Sequence, residues 1–123
     1  MKPITTKVHG ILDYLSVGAL LALPRVLHWR KEPTRLLTAS ALSTLVYSLL
    51  TRYEWGLARV LPVKAHLALD TTSGVILCGA PLLLTPTDRR VSATLMGLGL
   101  FEIVVPALTQ PAPEKRSLEP VIQ

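Results

Sequence analysis

The chain contains little of several residue types, and each shortage excludes a class of protein. It has a single cysteine, Cys78, so an intrachain disulfide and a paired-thiol redox centre are excluded. Aromatic residues make up only 5% of the 123 residues, and charged residues only 17%. The sequence contains no Gly-rich phosphate loop, no Cys-x-x-Cys pair and no serine nucleophile elbow. We therefore predict no catalytic residues and a protein that is not an enzyme.

Apolar residues dominate the composition instead. Half of the chain is hydrophobic, mostly Leu, Val and Ala, and the mean hydropathy is +0.44. The net charge of +5 would suit a nucleic-acid partner, but the basic residues lie in short clusters between apolar runs. Such clusters are typical of loops that flank membrane spans near anionic headgroups. The predicted partner is therefore the lipid bilayer, and nucleic-acid binding is not expected.

Four apolar runs, at 8–27, 36–51, 63–84 and 91–108, are near the length that a spanning helix needs. Segments 14–23 and 75–84 are apolar or small on all sides, whereas a helix of a soluble bundle keeps a polar face. We predict an all-α fold of four transmembrane helices in one membrane domain, residues 1–109. The Pro-rich segment 110–123 is predicted to be a disordered tail.

The chain also shows an internal repeat. Shifting it by 57 residues gives eight identities in 21 positions without a gap. The identical pairs are Lys7 with Lys64, His9 with His66, Leu12 with Leu69, Asp13 with Asp70, Ser16 with Ser73, Leu20 with Leu77, Pro24 with Pro81 and Leu27 with Leu84. This pattern predicts two parallel two-helix repeats, at about 7–51 and 64–109. Both termini would lie on the same face of the membrane domain. We predict this to be the cytoplasmic face of a bacterial inner membrane, because it carries seven basic residues and the opposite face carries six.

The duplicated motif resembles the bacterial SPW-repeat family of small membrane proteins. The matching pieces are Lys7-x-His9-Gly10-x-Leu12-Asp13 and Lys64-x-His66-x-x-Leu69-Asp70, each followed by a proline, Pro24 or Pro81. Neither copy contains the Ser-Pro-Trp that gives the family its name. The resemblance implies a multi-pass membrane topology more than an activity. We expect a structural or accessory membrane protein, and homo-oligomerisation is a further expectation.

The duplicated H-x-x-x-D is the main candidate site. His9 and Asp13, like His66 and Asp70, lie one turn apart on the same helix face. Glu102 is a further ionisable residue inside an apolar run. One interpretation makes the pairs structural hydrogen bonds, with no cofactor. A second makes them ligands of a metal ion of unknown identity, or of haem. A third makes the carboxylates relays for proton or small-solute transport.

Small and hydroxyl-bearing residues are predicted to form the helix-packing contacts. Ser40, Thr44 and Ser48 are spaced four apart on the second helix and predict a close-packed, hydrogen-bonded seam. The other predicted packing residues are Ser16, Ser73 and Gly97.

Overall fold

A computed structural model describes residues 2–84 and 88–112, and within them the chain forms four α-helices. These are α1 (Thr6–Val26), α2 (Lys31–Leu49), α3 (Val63–Leu83) and α4 (Arg89–Ala107). The described residues contain no β-strand, so the all-α prediction is confirmed. Helix α2 begins at Lys31 rather than at residue 36, because its first turn is charged and a search for apolar runs does not find it. The predicted tail lies largely outside the described residues.

Helix boundaries follow local sequence signals. Thr5 caps α1 by accepting a hydrogen bond from the amide of Val8, and Asp88 caps α4 through the amide of Arg90. Pro24, Pro81 and Pro106 lie in the last turns of their helices. A proline removes one amide donor from the helix. In the last turn this loss disturbs little of the helix, because few residues follow the proline.

The helices form two hairpins, α1 with α2 and α3 with α4. The backbones of α3 and α4 approach each other closely at Gly74 and Gly99, where an added Cβ at either position would lie 2.6 Å from the carbonyl oxygen of the other. The predicted packing residue Gly97 instead faces outward, with no atom within 4 Å of the place that its Cβ would occupy. Gly97 and Gly99 are two positions apart, so they point to different sides of α4 and only one of them meets α3.

Short backbone bridges join the two hairpins at one end of the bundle. Ile4, before α1, pairs with Thr109, after α4, and Thr51, after α2, pairs with Leu61, before α3. The amide of Gln110 donates to Ile4 at 2.8 Å. The starts of α1 and α3 and the ends of α2 and α4 therefore meet at this end. Further along the bundle the hairpins share an apolar core, whose fully buried leucines are Leu20, Leu37, Leu77 and Leu95.

Two helices of the described chain, α3 and α4, are long and apolar enough to cross a membrane. Only 28% of the apolar window of each is buried inside the molecule. The other two helices carry more polar residues: α1 contains Asp13, and the first turns of α2 hold Lys31, Glu32 and Arg35. The finding is compatible with membrane insertion, and four spanning helices stay a prediction.

Candidate functional site

Four buried side chains from the two hairpins meet where the hairpins are joined. They are His9 and Asp13 of α1 and His66 and Asp70 of α3, and one ligand atom of each lies within 4.8 Å of the others. All four residues are at least nine-tenths buried. The sequence thus predicted these members correctly, and the structure brings both pairs into a single cluster, here called the His/Asp cluster.

Contacts between the hairpins are shorter than those within each helix. The Nε2 atom of His9 lies 2.8 Å from Oδ2 of Asp70 but 3.2 Å from Oδ1 of Asp13, its neighbour on α1. The Nε2 atom of His66 lies 3.0 Å from Oδ2 of Asp13 and 3.3 Å from Oδ2 of Asp70. The two H-x-x-x-D motifs therefore act as one set and not as two local pairs.

Two threonines hold the other ring nitrogens of the histidines. Thr109 Oγ1 lies 2.8 Å from Nδ1 of His9, and Thr51 Oγ1 lies 2.7 Å from Nδ1 of His66. Each threonine hydroxyl also donates its one proton to a backbone carbonyl four residues back, Thr109 to Val105 and Thr51 to Tyr47. A hydroxyl whose proton is committed in this way can only accept from the imidazole. Both Nδ1 atoms therefore carry a hydrogen, and both Nε2 atoms face the carboxylates.

Within the His/Asp cluster, the Nε2 atom of His66 is left without a hydrogen-bond partner. His66 is only 1% exposed, and its Nε2 forms no hydrogen bond of acceptable geometry despite the two carboxylates nearby. A buried polar atom without a partner is uncommon and calls for a physical explanation. The unpartnered nitrogen points into the cluster, towards the space that the carboxylates share.

Two tyrosines support the carboxylates. The Tyr47 hydroxyl donates to Oδ1 of Asp70 and the Tyr53 hydroxyl to Oδ2 of Asp13, and both rings pack against the imidazole of His66. Burial and the Asp13 carboxylate raise the pKa of Tyr53, so its hydroxyl keeps the proton that it donates. Tyr53 belongs to the loop between α2 and α3, so the tertiary structure brings it to Asp13 from a segment 40 positions away in the chain.

The segment that carries Tyr53 is fastened over the start of α1. Glu54 accepts hydrogen bonds from the Thr6 hydroxyl at 2.8 and 3.0 Å, and the indole of Trp55 donates to the carbonyl of Lys7 at 2.8 Å. An added Cβ at Gly10 would lie 2.3 Å from the Trp55 ring. Because Gly10 has no side chain, Trp55 fits against α1 and Tyr53 reaches the cluster.

Glu102 lies outside the group of four residues that forms the His/Asp cluster. Its electrostatic neighbours include Asp70, Asp13 and the hydroxyl of Ser73, and its buried Oε2 has no hydrogen-bond partner. Ser16 lines the same cavity as Glu102. The predicted packing residues Ser16 and Ser73 thus lie near Glu102.

The predicted polar seam on α2 lies on its inner side. Thr44 and Ser48 are buried and Ser40 is half-buried, and the Thr44 hydroxyl lies 3.2 Å from that of Tyr47. The seam thus extends to Tyr47, whose hydroxyl donates to Asp70 of the His/Asp cluster.

Comparison of the chain with family models, curated proteins and solved structures finds no match. The resemblance to the SPW-repeat family therefore stays a prediction, and the geometry of the cluster carries the functional argument. Sequence reasoning did not assign Tyr47 or Thr109 to the site. A shift of 58 residues, one more than in the first part of the repeat, aligns Thr109 with Thr51. This alignment is the one signal in the sequence for the role of Thr109.

Proposed function

We propose that the protein is a small membrane protein that binds one divalent transition-metal ion through His9, Asp13, His66 and Asp70. The observation that carries the proposal is the buried Nε2 of His66, which faces two carboxylates without forming a hydrogen bond. A lone pair at this position is unfavourable beside two carboxylates and favourable beside a cation. A metal ion between the four side chains would satisfy this nitrogen and both carboxylates.

The donor set suits zinc, iron(II) or manganese. Imidazole nitrogens with carboxylate oxygens are ordinary ligands of these ions, and two carboxylates neutralise a dication. Bond lengths of about 2.0–2.2 Å imply ligand atoms about 3.3–3.6 Å apart in a tetrahedron. The nitrogen-to-oxygen distances of 2.8, 3.0, 3.2 and 3.3 Å approach that spacing, so small outward shifts would admit an ion.

The surrounding hydrogen bonds support the metal-binding proposal. Histidines that bind metals usually donate their second N–H to a fixed acceptor, which sets the tautomer and the ring orientation. Thr109 and Thr51 are such acceptors, since their own protons are held by backbone carbonyls. Tyr47 and Tyr53 likewise orient the aspartates.

The haem alternative fits this geometry poorly. The ring centroids of His9 and His66 are 5.2 Å apart and the rings meet edge to face. A porphyrin held by two axial histidines would have to lie between the rings, with an iron–nitrogen bond on each side. The space between these rings is too small for a macrocycle.

Membrane insertion of all four helices, as two repeated hairpins related to the SPW-repeat proteins, is part of the proposal. Large apolar side chains are widely exposed, including Leu82 at 85%, Leu83 at 84% and Leu15 at 65%. Exposure of this many large apolar side chains favours contact with lipid over water. The paired bridges Ile4–Thr109 and Thr51–Leu61 also fit a duplicated hairpin. The bacterial inner-membrane location, the cytoplasmic termini and homo-oligomerisation stay predictions.

A structural ion-pair network is the second candidate. The 2.8 Å contact between Nε2 of His9 and Oδ2 of Asp70 suits a charged hydrogen bond from an imidazolium. Two protonated histidines and two aspartates would be electrically neutral without metal. In that case the cluster would fasten the two hairpins together and have no ligand.

Metal analysis of the detergent-purified protein, as isolated and after exposure to zinc, iron(II) or manganese followed by desalting, separates the two candidates. The double variant His9→Gln/His66→Gln removes both proposed nitrogen ligands and keeps polar side chains at these positions. His28→Gln is the matched control, because His28 is exposed in the loop between α1 and α2. We expect stoichiometric metal in the wild type and in the control, and its loss in the double variant. A folded wild type that takes up no metal would establish the ion-pair network instead.

A further inference from the structure

An open cavity of about 240 Å³ lies between α1 and α4. Its walls are apolar: α1 contributes side chains between Leu12 and Leu20, and α4 contributes Leu98 and Phe101. Two polar residues, Ser16 and Glu102, also line it. The volume is below the roughly 300 Å³ at which pockets for drug-sized ligands begin, so an occupant would be small.

The carboxylate in this cavity is not balanced by any other described group. Every ion pair among the described residues lies within the His/Asp cluster, and none involves Glu102. Glu102 is also outside the set of side chains that meet as metal ligands. Its Oε2 is buried and has no hydrogen-bond partner. The Ser73 hydroxyl is a hydrogen-bonding neighbour of the carboxylate, but a buried carboxylate oxygen without a partner is unfavourable, so a donor that reached Oε2 would gain a strong interaction.

The geometry points to this cavity as a binding site for a small lipophilic amine, with its ammonium group on Glu102 and its apolar body against α1 and α4. Apolar walls with one or two polar groups are the usual composition of a small-molecule site. An ammonium group would donate hydrogen bonds and would also favour the ionised form of the carboxylate, whereas a neutral alcohol would supply only a hydrogen bond. The site therefore selects a cation of low polarity, and its carboxylate is not one of the proposed metal ligands.

Fluorine NMR with two matched probes tests the inference. 4-Fluorobenzylamine carries the ammonium group, and 4-fluorobenzyl alcohol has nearly the same size without the charge. Each would be titrated into the detergent-solubilised, full-length protein after removal of metal by a chelator, so that no metal competes for the amine. Empty detergent micelles give the background partition of both probes. The metal content of every variant is measured separately, so that a failure of amine binding can be distinguished from a failure of metal binding.

Two variants alter the site in different ways. Glu102→Gln removes the charge and keeps the shape, and we expect it to weaken binding of the amine by about tenfold or more, the usual loss for a hydrogen bond to a charged group. Ala19→Phe keeps the carboxylate and fills the cavity from α1, so it should abolish saturable binding. Glu32→Gln is the control, because this carboxylate is exposed in the first turn of α2.

The expected result is saturable binding of the amine to the wild type and to the Glu32→Gln control, weak binding to Glu102→Gln and no binding to Ala19→Phe. Three outcomes would overturn the inference. One is no saturable binding to folded wild-type protein. The second is equal affinity for the alcohol and the amine. The third is amine binding that Glu102→Gln leaves unchanged.

Discussion

Replacing Thr109 by valine tests the role of the hydrogen bonds around the His/Asp cluster. Valine has nearly the shape of threonine, but it cannot accept the hydrogen on Nδ1 of His9. Without that acceptor the imidazole is no longer held in one tautomer, and its proton can move to Nε2, beside the carboxylate of Asp70. A metal ion would then have to displace this proton before it could bind.

The expected effect on metal affinity is larger than the effect on folding. Loss of an outer hydrogen-bond partner typically reduces metal affinity about 10–100-fold, or about 1.4–2.8 kcal/mol. If the proton instead stays on Nδ1, the buried donor loses its partner at a cost of about 1–3 kcal/mol of stability. Because movement of the proton to Nε2 relieves part of this stability cost, the metal-free variant should lose less than about 1–3 kcal/mol of stability.

The assay is a competition titration against a chromogenic chelator in detergent, with urea unfolding of the metal-free protein beside it. Thr51→Val should reproduce the effect through His66, and the double variant should depart from the sum of the two free energies, because both rings belong to one hydrogen-bonded cluster. Thr94→Val is the matched control, since Thr94 makes the same bond to a carbonyl four residues back and contacts no histidine. Wild-type metal affinity in Thr109→Val, or an equal loss in the control, would refute the reasoning.

Two further predictions concern the segment over the cluster. Tyr53→Phe should lower the free energy of unfolding by about 1.5–3 kcal/mol near neutral pH, because Asp13 loses a hydrogen-bond donor. Folding raises the pKa of Tyr53, so its contribution to stability is present below about pH 10 and is lost at higher pH. As the pH is raised above this value, the free energy of unfolding should therefore fall less steeply in the variant than in the wild type. Gly10→Ala should displace Trp55 and lower stability by about 1–3 kcal/mol, seen as a red-shifted tryptophan emission and a lower Tm. Gly18→Ala, with no atom within 4 Å of its Cβ position, should be neutral or slightly stabilising, and equal loss at both glycines would contradict the packing argument.

The sequence predicted the helices well because apolar runs and their ends are local features. The four predicted runs overlap α1 to α4, and only the charged start of α2 was missed. The matched positions of His9 with His66 and of Asp13 with Asp70 also predicted that these residues would face one another. Helical periodicity fixes which side of a helix a residue occupies, so two similar motifs on neighbouring helices tend to share a direction.

Predictions of single contacts succeeded less often. Gly97 was the predicted packing glycine, but the rotation of α4 against α3 makes Gly99 the contact instead. Tyr53 lies beside an apolar run, a position that suits either an interfacial residue or a buried one. At 1% exposure it is buried, and its hydroxyl reaches Asp13.

By itself, the sequence determined the all-α class, the approximate extent of four helices and the four titratable members of the cluster, because composition and periodicity are properties of neighbouring residues. The tertiary structure alone decided how those members are used. It placed Thr109 beside His9 across 100 positions of the chain, gave the contacts between hairpins the shorter distances, and left Nε2 of His66 and Oε2 of Glu102 buried without partners. Hydrogen bonds and coordination depend on distance and angle between groups that are remote in sequence, so only the packing of the two hairpins determines them.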